Sequence, residues 1–570
     1  MLGALLALGL VAANGVGGAL LRDTITEWFW LSSVATDNLL YITGGEFYET
    51  DDTGAITMYY QGNTLVVDLT QSWTNQTVGV TSITDADGMI YVRQPLLFYD
   101  KPRNKISRYG GWPYEESDFP SILWSFDAGT NNVNWKNETP PSTDGLAANS
   151  PGPFASANVY TDTTFYNFGG NVFAVDALPN MTVLSGLVTR DLVGQVWTNS
   201  TADLPGQNKY RTQARMVHAP NFGSEGFLVM VGGESPPTEA SFYETGSFLT
   251  DMATITLYDI ETGTWYTQTA TGEVPPPRSE FCAVGAASSD GTTFELFVYG
   301  GSTNNTFDLN GPDDEGYLNV YALSLPAFRW FKSKSTTTVR RACNTCNVIG
   351  KRQMLSIGGR LPSSLQALGA EPDPWVSGLG VFDMTDFEWV DHYNAAAAAY
   401  ESPDVVQKYY NSSYEVPDFS DPTLASVFAF TPPASSTDGD GGNNDNSPAS
   451  TSSPDGSTSP ETSSSGSNSS SSNAGPIAGG VVAGVAIIAA VLFGIWFWQR
   501  RRKQRAHAAA LEADARERFT KPQFEAASTP MFEVDDNSRS EMNASPPPKP
   551  PPVAELPVDN EHQRFHGAAK

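Results

Sequence analysis

The stretch LLYITGG, residues 39–45, joins a run of apolar and β-branched residues to a pair of glycines. Such a run predicts a β-strand, and the glycines predict a sharp turn, because glycine adopts left-handed backbone angles without steric cost. A phosphate-binding loop would also need a Lys-Ser/Thr pair and a following helix. The pattern returns as KISRYGG (105–111), TFYNFGG (164–170), FLVMVGG (227–233), LFVYGG (296–301) and MLSIGG (354–359). Copies about 60 residues apart indicate an internal repeat.

A second signature follows each glycine pair: a strand-like run, a polar turn and a tryptophan. The pairs are Gly44-Gly45, Gly110-Gly111, Gly169-Gly170, Gly232-Gly233, Gly300-Gly301 and Gly358-Gly359, and the tryptophans are Trp73, Trp135, Trp197, Trp265, Trp330 and Trp389. Five copies start the turn with an aspartate, namely Asp68, Asp127, Asp191, Asp259 and Asp383, whereas the fifth copy has Ala322. Aspartate suits this position because its side chain bonds the amides of the following turn. The tryptophan is expected to be buried between neighbouring sheets.

These residues together resemble kelch repeats of the kelch and galactose-oxidase superfamily, over roughly residues 28–400. PPPRSEFCAV (275–284) and VRRACNTCNV (339–348) are similar to the first strands of such repeats, with Arg278 and Arg341 leading in. The resemblance implies an all-β, kelch-type β-propeller of four-stranded blades around a channel. Six repeats predict six blades, or seven if the stretch 74–105 holds a degenerate one. Ring closure is assigned to residues 20–30, with Trp28, Phe29 and Trp30, or to the rival segment 403–412.

Composition divides the chain into five parts. They are a signal peptide (1–19), the propeller (20–430), a Ser/Thr/Pro/Gly-rich stalk (431–475), a transmembrane helix (476–498) and a cytoplasmic tail (499–570). The apolar run 477–498 has no charged residue and is long enough to span a bilayer, and the arginines after it predict a cytoplasmic C-terminus. Residues 1–19 lack the usual positive start of a signal peptide; cleavage after Ala13 or after Ala19 and a buried N-terminal helix are the alternatives. The layout resembles fungal membrane-anchored kelch proteins.

The charge of the chain lies almost entirely before residue 475, where 21 Lys and Arg face 52 Asp and Glu; 12 basic and 11 acidic residues follow. Because such an acidic surface repels nucleic-acid phosphates, no nucleic-acid partner is expected. Seven N-x-S/T sequons predict a glycosylated protein on the plasma membrane or another secretory membrane, with its N-terminus outside. They are Asn75, Asn137, Asn180, Asn199, Asn304, Asn411 and Asn468.

Only Cys282, Cys343 and Cys346 occur, so a disulfide-rich scaffold is excluded. Cys343 and Cys346 have C-x-x-C spacing, but zinc would need a second pair, and a redox role would need a helix beside a βαβ unit. Cys282 and Cys346 occupy similar first-strand positions, which predicts buried free thiols. A local disulfide between Cys343 and Cys346 is the competing interpretation.

The superfamily includes copper-radical oxidases, which hold copper with two histidines and two tyrosines. The outer part has two histidines, His218 and His392, and we interpret both as residues without a metal. Acidic groups such as Asp51-Asp52, Glu115-Glu116 and Asp313-Asp314-Glu315 do not form a calcium loop. No catalytic, cofactor or metal residue is therefore predicted.

The expected function is that of an extracellular binding module for a glycan, a wall component or a protein, with adhesion or wall sensing as its use. A surface-tethered copper-radical oxidase is the alternative, and a purely structural wall protein is a third interpretation. The proline segment Pro546–Pro552 is either an SH3-type ligand or a disordered spacer. Gly480 and Gly484 form a G-x-x-x-G pattern that favours dimerisation of the membrane helix.

Overall fold

The computed structural model describes residues 25–50, 56–114, 122–138, 152–173, 181–202, 204–239, 249–302, 315–338, 340–360 and 373–431. Contacts divide the chain into two units, Met1–Gly442 and Asn443–Lys570, and every described residue belongs to the first. No helix within these ranges is long and apolar enough to cross a membrane. The predicted signal peptide, the membrane helix, the tail and all of the stalk beyond Thr431 lie outside the described residues.

Six sheets of at least four strands follow one another along the described chain, all antiparallel apart from the parallel pair β25–β29 in the fifth. Sheet 1 contains β2 (Ser32–Ala35), β3 (Leu39–Thr43), β6 (Asn63–Asp68) and β8 (Val80–Thr84); sheet 2 contains β10 (Leu96–Asp100), β11 (Lys105–Tyr109), β13 (Leu123–Asp127) and β14 (Lys136–Glu138). Sheet 3 contains β15 (Ala157–Tyr160), β16 (Thr164–Phe168), β19 (Leu187–Asp191) and β20 (Trp197–Ser200). Sheet 4 contains β21 (Arg215–Ala219), β22 (Phe227–Val231), β23 (Thr254–Asp259) and β24 (Thr264–Thr269).

The last two sheets complete the series. Sheet 5 contains β25 (Thr271–Gly272), β26 (Cys282–Ala287), β27 (Phe294–Tyr299), β28 (Asn319–Leu325) and β29 (Arg329–Thr336); sheet 6 contains β30 (Thr345–Ile349), β31 (Gln353–Ile357), β32 (Leu379–Asp383) and β33 (Glu388–Val390). The first strands β2, β10, β15, β21, β26 and β30 each contact the first strand of the next sheet, and β30 contacts β2. The predicted all-β class is confirmed.

Smaller elements decorate this ring. They are the sheet of β1 (Ile25–Phe29), β4 (Glu46–Thr50) and β5 (Ile56–Tyr60), the pair β9 (Val92–Arg93) and β12 (Trp112–Pro113), the pair β17 (Asn171–Phe173) and β18 (Met181–Val183), and the pair β7 (Trp73–Thr74) and β34 (His392–Tyr393). Helices are short: α1 (Glu315–Leu318), a 3-10 turn (Val376–Gly378), α2 (Asp404–Ser412) and α3 (Pro422–Val427). The stretch 74–105 supplies strands to sheets 1 and 2, and no separate four-stranded sheet lies within it.

The closure predicted from the two chain ends needs correction. The strands of sheet 1 come from residues 32–84 and those of sheet 6 from residues 345–390, so in the described part of the chain neither residues 25–30 nor residues 403–412 complete either sheet. Strand β1 still joins the ring, because the carbonyl of Trp28 accepts a hydrogen bond from the Gly359 amide at 2.7 Å. Segment 403–412 is mostly the helix α2, whose Val406 and Tyr410 pack against Ala327 and Phe331. Main-chain hydrogen bonds therefore connect the first and last repeats, where a sheet completed by the other end of the chain was predicted.

The repeated tryptophans lie between sheets, as predicted. Trp135 of sheet 2 donates from Nε1 to Thr64 Oγ1 of sheet 1 at 2.8 Å, and Trp330 of sheet 5 donates to the Met252 carbonyl beside sheet 4 at 2.9 Å. Trp73 packs in one cluster with Leu355 of sheet 6. Each of these three rings thus packs against the preceding sheet, and the last contact joins the first repeat to sheet 6.

Four of the five aspartates after the third strands bond the following turn as the sequence predicts, whereas after Asp127 the amides of Gly129 and Thr130 donate to the Tyr41 hydroxyl. Asp68, Asp191, Asp259 and Asp383 each accept at least one hydrogen bond from an amide two or three residues later, at 2.7–3.4 Å. These bonds hold the tight turn between the third and fourth strands.

A C-terminal segment, residues 391–431, runs back around the ring, and we call it the belt. It pairs with β7 of the first repeat, and Gln353 of sheet 6 donates to the Asn394 carbonyl at 2.9 Å. It then contacts sheet 5 through Tyr400, and the centre of the Phe428 ring lies 4.6 Å from that of Phe222, in the loop between β21 and β22. That loop is at the other end of the strands from the glycine pairs. The belt therefore reaches the face of the ring opposite the glycines.

Candidate ligand-binding site

The glycine pairs form one face of the ring, which we call the Gly-Gly face. All twelve glycines have positive φ, between 61° and 111°. The second amide of every pair donates to a carbonyl of the next repeat at 2.7–3.1 Å, and the acceptors in order are Val92, Pro153, Arg211, Arg278, Arg341 and Trp28. A side chain at the glycines would collide with this neighbouring backbone. The glycine pair is a joint between repeats and holds no phosphate.

The lead-in arginines serve the same joint. Arg278 donates from Nη1 to the Gly300 carbonyl at 2.8 Å, and Arg341 donates to the Gly358 carbonyl at 3.1 Å. Arg211, which the sequence analysis did not single out, donates to the Gly232 carbonyl at 3.3 Å. Burial lowers the pKa of Arg278 and of Arg211 to about 10. These fully or nearly fully buried cations organise the scaffold and are not free to bind a ligand.

Six residues close the centre of the Gly-Gly face, and we call them the plug. Each lies two positions after an acceptor of the glycine joint and has φ between 49° and 61°: Trp30, Gln94, Ala155, Gln213, Glu280 and Cys343. Main-chain bonds link them sideways, including Trp30 N to Cys343 O at 3.0 Å and Cys343 N to Glu280 O at 2.8 Å. The residue types differ from copy to copy. Sequence reasoning missed the plug, and only three of its six residues could have been found from their position two residues after an arginine, namely Gln213, Glu280 and Cys343.

Glu280 is the hub of the plug. Its Oε1 accepts from Trp30 Nε1 at 3.2 Å and from Gln213 Nε2 at 3.1 Å, and its Oε2 accepts from Cys343 Sγ at 2.7 Å. Burial raises the pKa of Glu280, and burial together with this carboxyl raises the pKa of the Cys343 thiol. Cys343 is therefore a protonated, buried donor, which makes it a poor nucleophile or metal ligand.

The cysteine predictions were wrong on pairing. Cys282 of β26 and Cys346 of β30 form a disulfide, and Cys343 is the free thiol. The bond joins the first strands of sheets 5 and 6. These strands lie side by side because they occupy the same position in neighbouring repeats. Cys343 cannot take part in a local loop because it points to Glu280 in the plug.

Replacing both Cys282 and Cys346 with alanine is expected to lower the free energy of unfolding by about 2–5 kcal/mol, because the bond closes a long loop in the unfolded chain. Urea-induced unfolding measures the difference. The matched control is Cys343→Ala, in which the disulfide remains. Equal stability of the double variant and the native protein would contradict the assignment.

The two histidines lie in separate places. His218 is on the inner strand β21, where its Nε2 approaches the Glu225 carbonyl at 3.4 Å, whereas His392 pairs with Thr74 in β34 and its Nδ1 contacts Asp391 at 2.7 Å. They cannot share a metal ion. Within the described ranges no cluster of three or more His, Cys, Asp or Glu side chains could hold a metal. The acidic groups Asp51-Asp52, Glu115-Glu116 and Asp313-Asp314 lie outside those ranges.

An exposed group of large side chains stands on the Gly-Gly face, and we call it the tyrosine surface. Its members are 39–49 % exposed: Met58, Tyr59, Tyr60, Ile90 and Tyr91. They come from β5, which follows the first glycine pair, and from the segment before β9. The ring of Tyr60 lies 6.3 Å from that of Tyr91 and 3.7 Å from that of Tyr114. Exposed aromatic side chains that lie together, as those of Tyr60 and Tyr91 do, often mark an interaction site.

A buried charge pair supports the tyrosine surface from below. Arg93 forms a salt bridge with Glu46, and its guanidinium stacks 3.8 Å from the ring of Tyr114 and 4.7 Å from that of Trp112. Burial, followed by the charge of Glu46, raises the pKa of Tyr114, so its hydroxyl stays protonated. These contacts fix the platform on which Tyr60 rests. A platform held in place loses little conformational entropy when it binds.

Four sequons fall within the described residues. Asn137 lies on β14 and Asn199 on β20, the outermost strands of sheets 2 and 3, and both are exposed, as is Asn411 on α2. Asn75 follows β7 and is half-buried. Asn180, Asn304 and Asn468 lie outside the described residues. The exposed sequons are thus on the rim or the belt and not among the tyrosines.

Comparison with known proteins finds similarity to a curated kelch-repeat protein and to solved structures. No family model matches the chain. A "Kelch repeat-containing protein" of Arthroderma benhamiae is 30% identical over 207 residues, which are 35% of this chain and 28% of the relative. The solved "Structure of YjhT" aligns with 65% of this chain and 99% of its own, at 14% identity and a TM-score of 0.43. Together with the six repeated sheets, the relative supports a kelch-type β-propeller.

Proposed function

We propose that this chain is a single-pass cell-surface protein whose propeller is an extracellular binding module, with the tyrosine surface as its ligand site. The ligand is a glycan, a wall component or a protein, and adhesion or wall sensing is the proposed use. The exposure of Tyr60 and Tyr91, whose rings lie 6.3 Å apart, with Tyr60 3.7 Å from the ring of Tyr114, carries this proposal. Soluble monomers rarely leave such a patch uncovered without a partner.

The geometry of the domain supports display of that site. We propose six blades, because the first strands contact one another in a cycle of six and the glycine joints return from Gly359 to Trp28. The belt reaches the face opposite the tyrosine surface before the described chain ends at Thr431. A stalk leaving from there, with glycans on Asn137 and Asn199 at the rim, would keep the Gly-Gly face clear.

The remaining parts of the proposal rest on sequence alone. They are the signal peptide, the membrane helix with dimerisation through Gly480 and Gly484, and an SH3-type partner at Pro546–Pro552. The copper-oxidase alternative gains no support from the structure, because His218 and His392 lie in different sheets.

Replacing Tyr60 and Tyr91 with serine is expected to weaken ligand binding at least about tenfold, since truncated aromatic anchors commonly cost more than 1 kcal/mol each. Immobilised glycans and secreted proteins presented to the purified protein identify the ligand, and titration then compares the variants. The matched control replaces Val193 and Val196, exposed apolar residues of sheet 3. Unchanged binding in the tyrosine variant, or equal loss in the valine variant, would refute the site.

A further inference from the structure

The first strands enclose a channel along the axis of the ring. It has a volume of about 460 Å³, within the range of small-molecule sites. The plug blocks it at the Gly-Gly face, where the Glu280 and Cys343 side chains are 2–3 % exposed. At the other end lie His218 and the loop that carries Glu225. The channel is therefore a pocket that opens on the face opposite the tyrosine surface.

The charge of the pocket is opposite to that of the protein around it. None of the residues lining the pocket is an aspartate or a glutamate, and its cationic groups are Arg215 and His218. Burial lowers the pKa of His218, so Arg215 is the lasting positive charge. The chain as a whole has a net charge of −30. The lining of the pocket has the opposite sign, and it therefore favours an anion over a cation or a basic peptide.

Arg215 has spare capacity for such a ligand. Its Nη1 donates to the Ala214 carbonyl at 3.1 Å, and the described residues provide no salt bridge to it. Glu280 acts on it electrostatically, and the hydrogen bonds to that carboxyl come from Trp30, Gln213 and Cys343. Burial lowers the pKa of Arg215, against the opposing effects of Glu280 and Cys343.

Hydroxyl and amide groups surround the arginine. Asn158, Asn347 and Thr345 line the pocket, and Asn347 is held by Ser33. The first strands also bond to a neighbour on one side only, since each stands at the edge of its sheet. Their free main-chain groups face the axis, so a polar molecule finds both donors and acceptors.

We propose that this channel is a binding site for a small carboxylate, whose anionic group is held by Arg215 and whose hydroxyls bond the polar lining. A planar guanidinium matches a carboxylate in a two-point bond. The site is separate from the tyrosine surface and does not depend on the ligand proposed for it.

Calorimetric titration of the purified full-length protein tests the proposal, with acetate, lactate and D-glucuronate as probes and D-glucose as the neutral counterpart of the last. We expect saturable binding of at least one carboxylate, weaker at high salt, and none of D-glucose. Arg215→Gln should weaken it about tenfold or more, because a charge-assisted bond is lost. Arg215→Lys keeps the charge but not the two-point bond, so it should bind more weakly than the native protein and more tightly than Arg215→Gln. Arg329→Gln, outside the pocket, should bind as the native protein does.

Two sets of results would overturn the proposal. One is that no carboxylate probe binds, or that D-glucose binds as well as D-glucuronate. The other is that Arg215→Gln, with an unchanged thermal transition, binds as the native protein does. The variant with serine at Tyr60 and Tyr91 should bind carboxylates normally, so failure of the channel site and failure of the tyrosine surface give different results.

Discussion

Replacing Gly358 with alanine is expected to destabilise the domain by more than about 4 kcal/mol, an effect seen when backbone strain and steric overlap combine. Gly358 has φ +61°, and an added Cβ would lie 2.1 Å from the Trp28 carbonyl oxygen and 2.9 Å from Leu31 Cδ2. The Trp28 oxygen also accepts the bond from Gly359 that joins the first repeat to the last. Relief would require that joint to open.

Gly291→Ala is the matched control for this prediction. Gly291 also has positive φ, +71°, but nothing lies within 4 Å of its added Cβ. It should cost only about 1–2 kcal/mol, the cost of a left-handed alanine. Urea-induced unfolding, followed by tryptophan fluorescence, compares the stability of the two variants. If too little Gly358→Ala accumulates for this measurement, resistance to trypsin is compared instead. Equal losses of stability in the two variants would show that the close contact at Gly358 does not contribute to stability.

Replacing Glu295 with alanine is expected to detach the belt and to cost about 3–5 kcal/mol, since several buried donors lose their acceptor together. Glu295 is fully buried; its Oε1 accepts from Ser324 at 2.7 Å, and its Oε2 accepts from Tyr400 at 2.7 Å. Ser402 donates to the same Oε2 at 3.0 Å. Glu295→Gln keeps the shape and one acceptor, so it should cost less than alanine.

The same residue predicts a pH dependence. Burial raises the pKa of Glu295 to about 7, against the opposing hydrogen bonds from Tyr400, Ser324 and Ser402. Because the folded pKa lies above the unfolded value, its contribution is complete below about pH 4.5 and is lost as the pH rises to about 7, by up to about 3 kcal/mol. The stability difference between the native protein and Glu295→Gln should follow this curve. A difference independent of pH between 4.5 and 8 would contradict it.

Much of the scaffold could be predicted from local sequence. Strand, glycine pair, aspartate turn and tryptophan are each set by neighbours within one repeat, so their roles at Gly45, Asp68 and Trp135 could be predicted without tertiary contacts. The corrected features depend on residues far apart in the chain. The cysteine pairing spans 64 residues and the Glu295–Tyr400 bond spans 105, and nothing in either local pattern names the partner.

The candidate sites show the same division. Exposed tyrosines in β5 and a lone arginine in β21 have no motif, and their meaning comes from what surrounds them: a platform on Arg93 for Tyr60, and a lining free of acidic groups for Arg215. Sequence by itself determined the all-β repeat and its joints, because backbone sterics and turn hydrogen bonds act over a few residues. Only the tertiary structure decided the plug, the disulfide, the belt and the charge of the channel, because burial and electrostatics depend on which distant groups come to lie together.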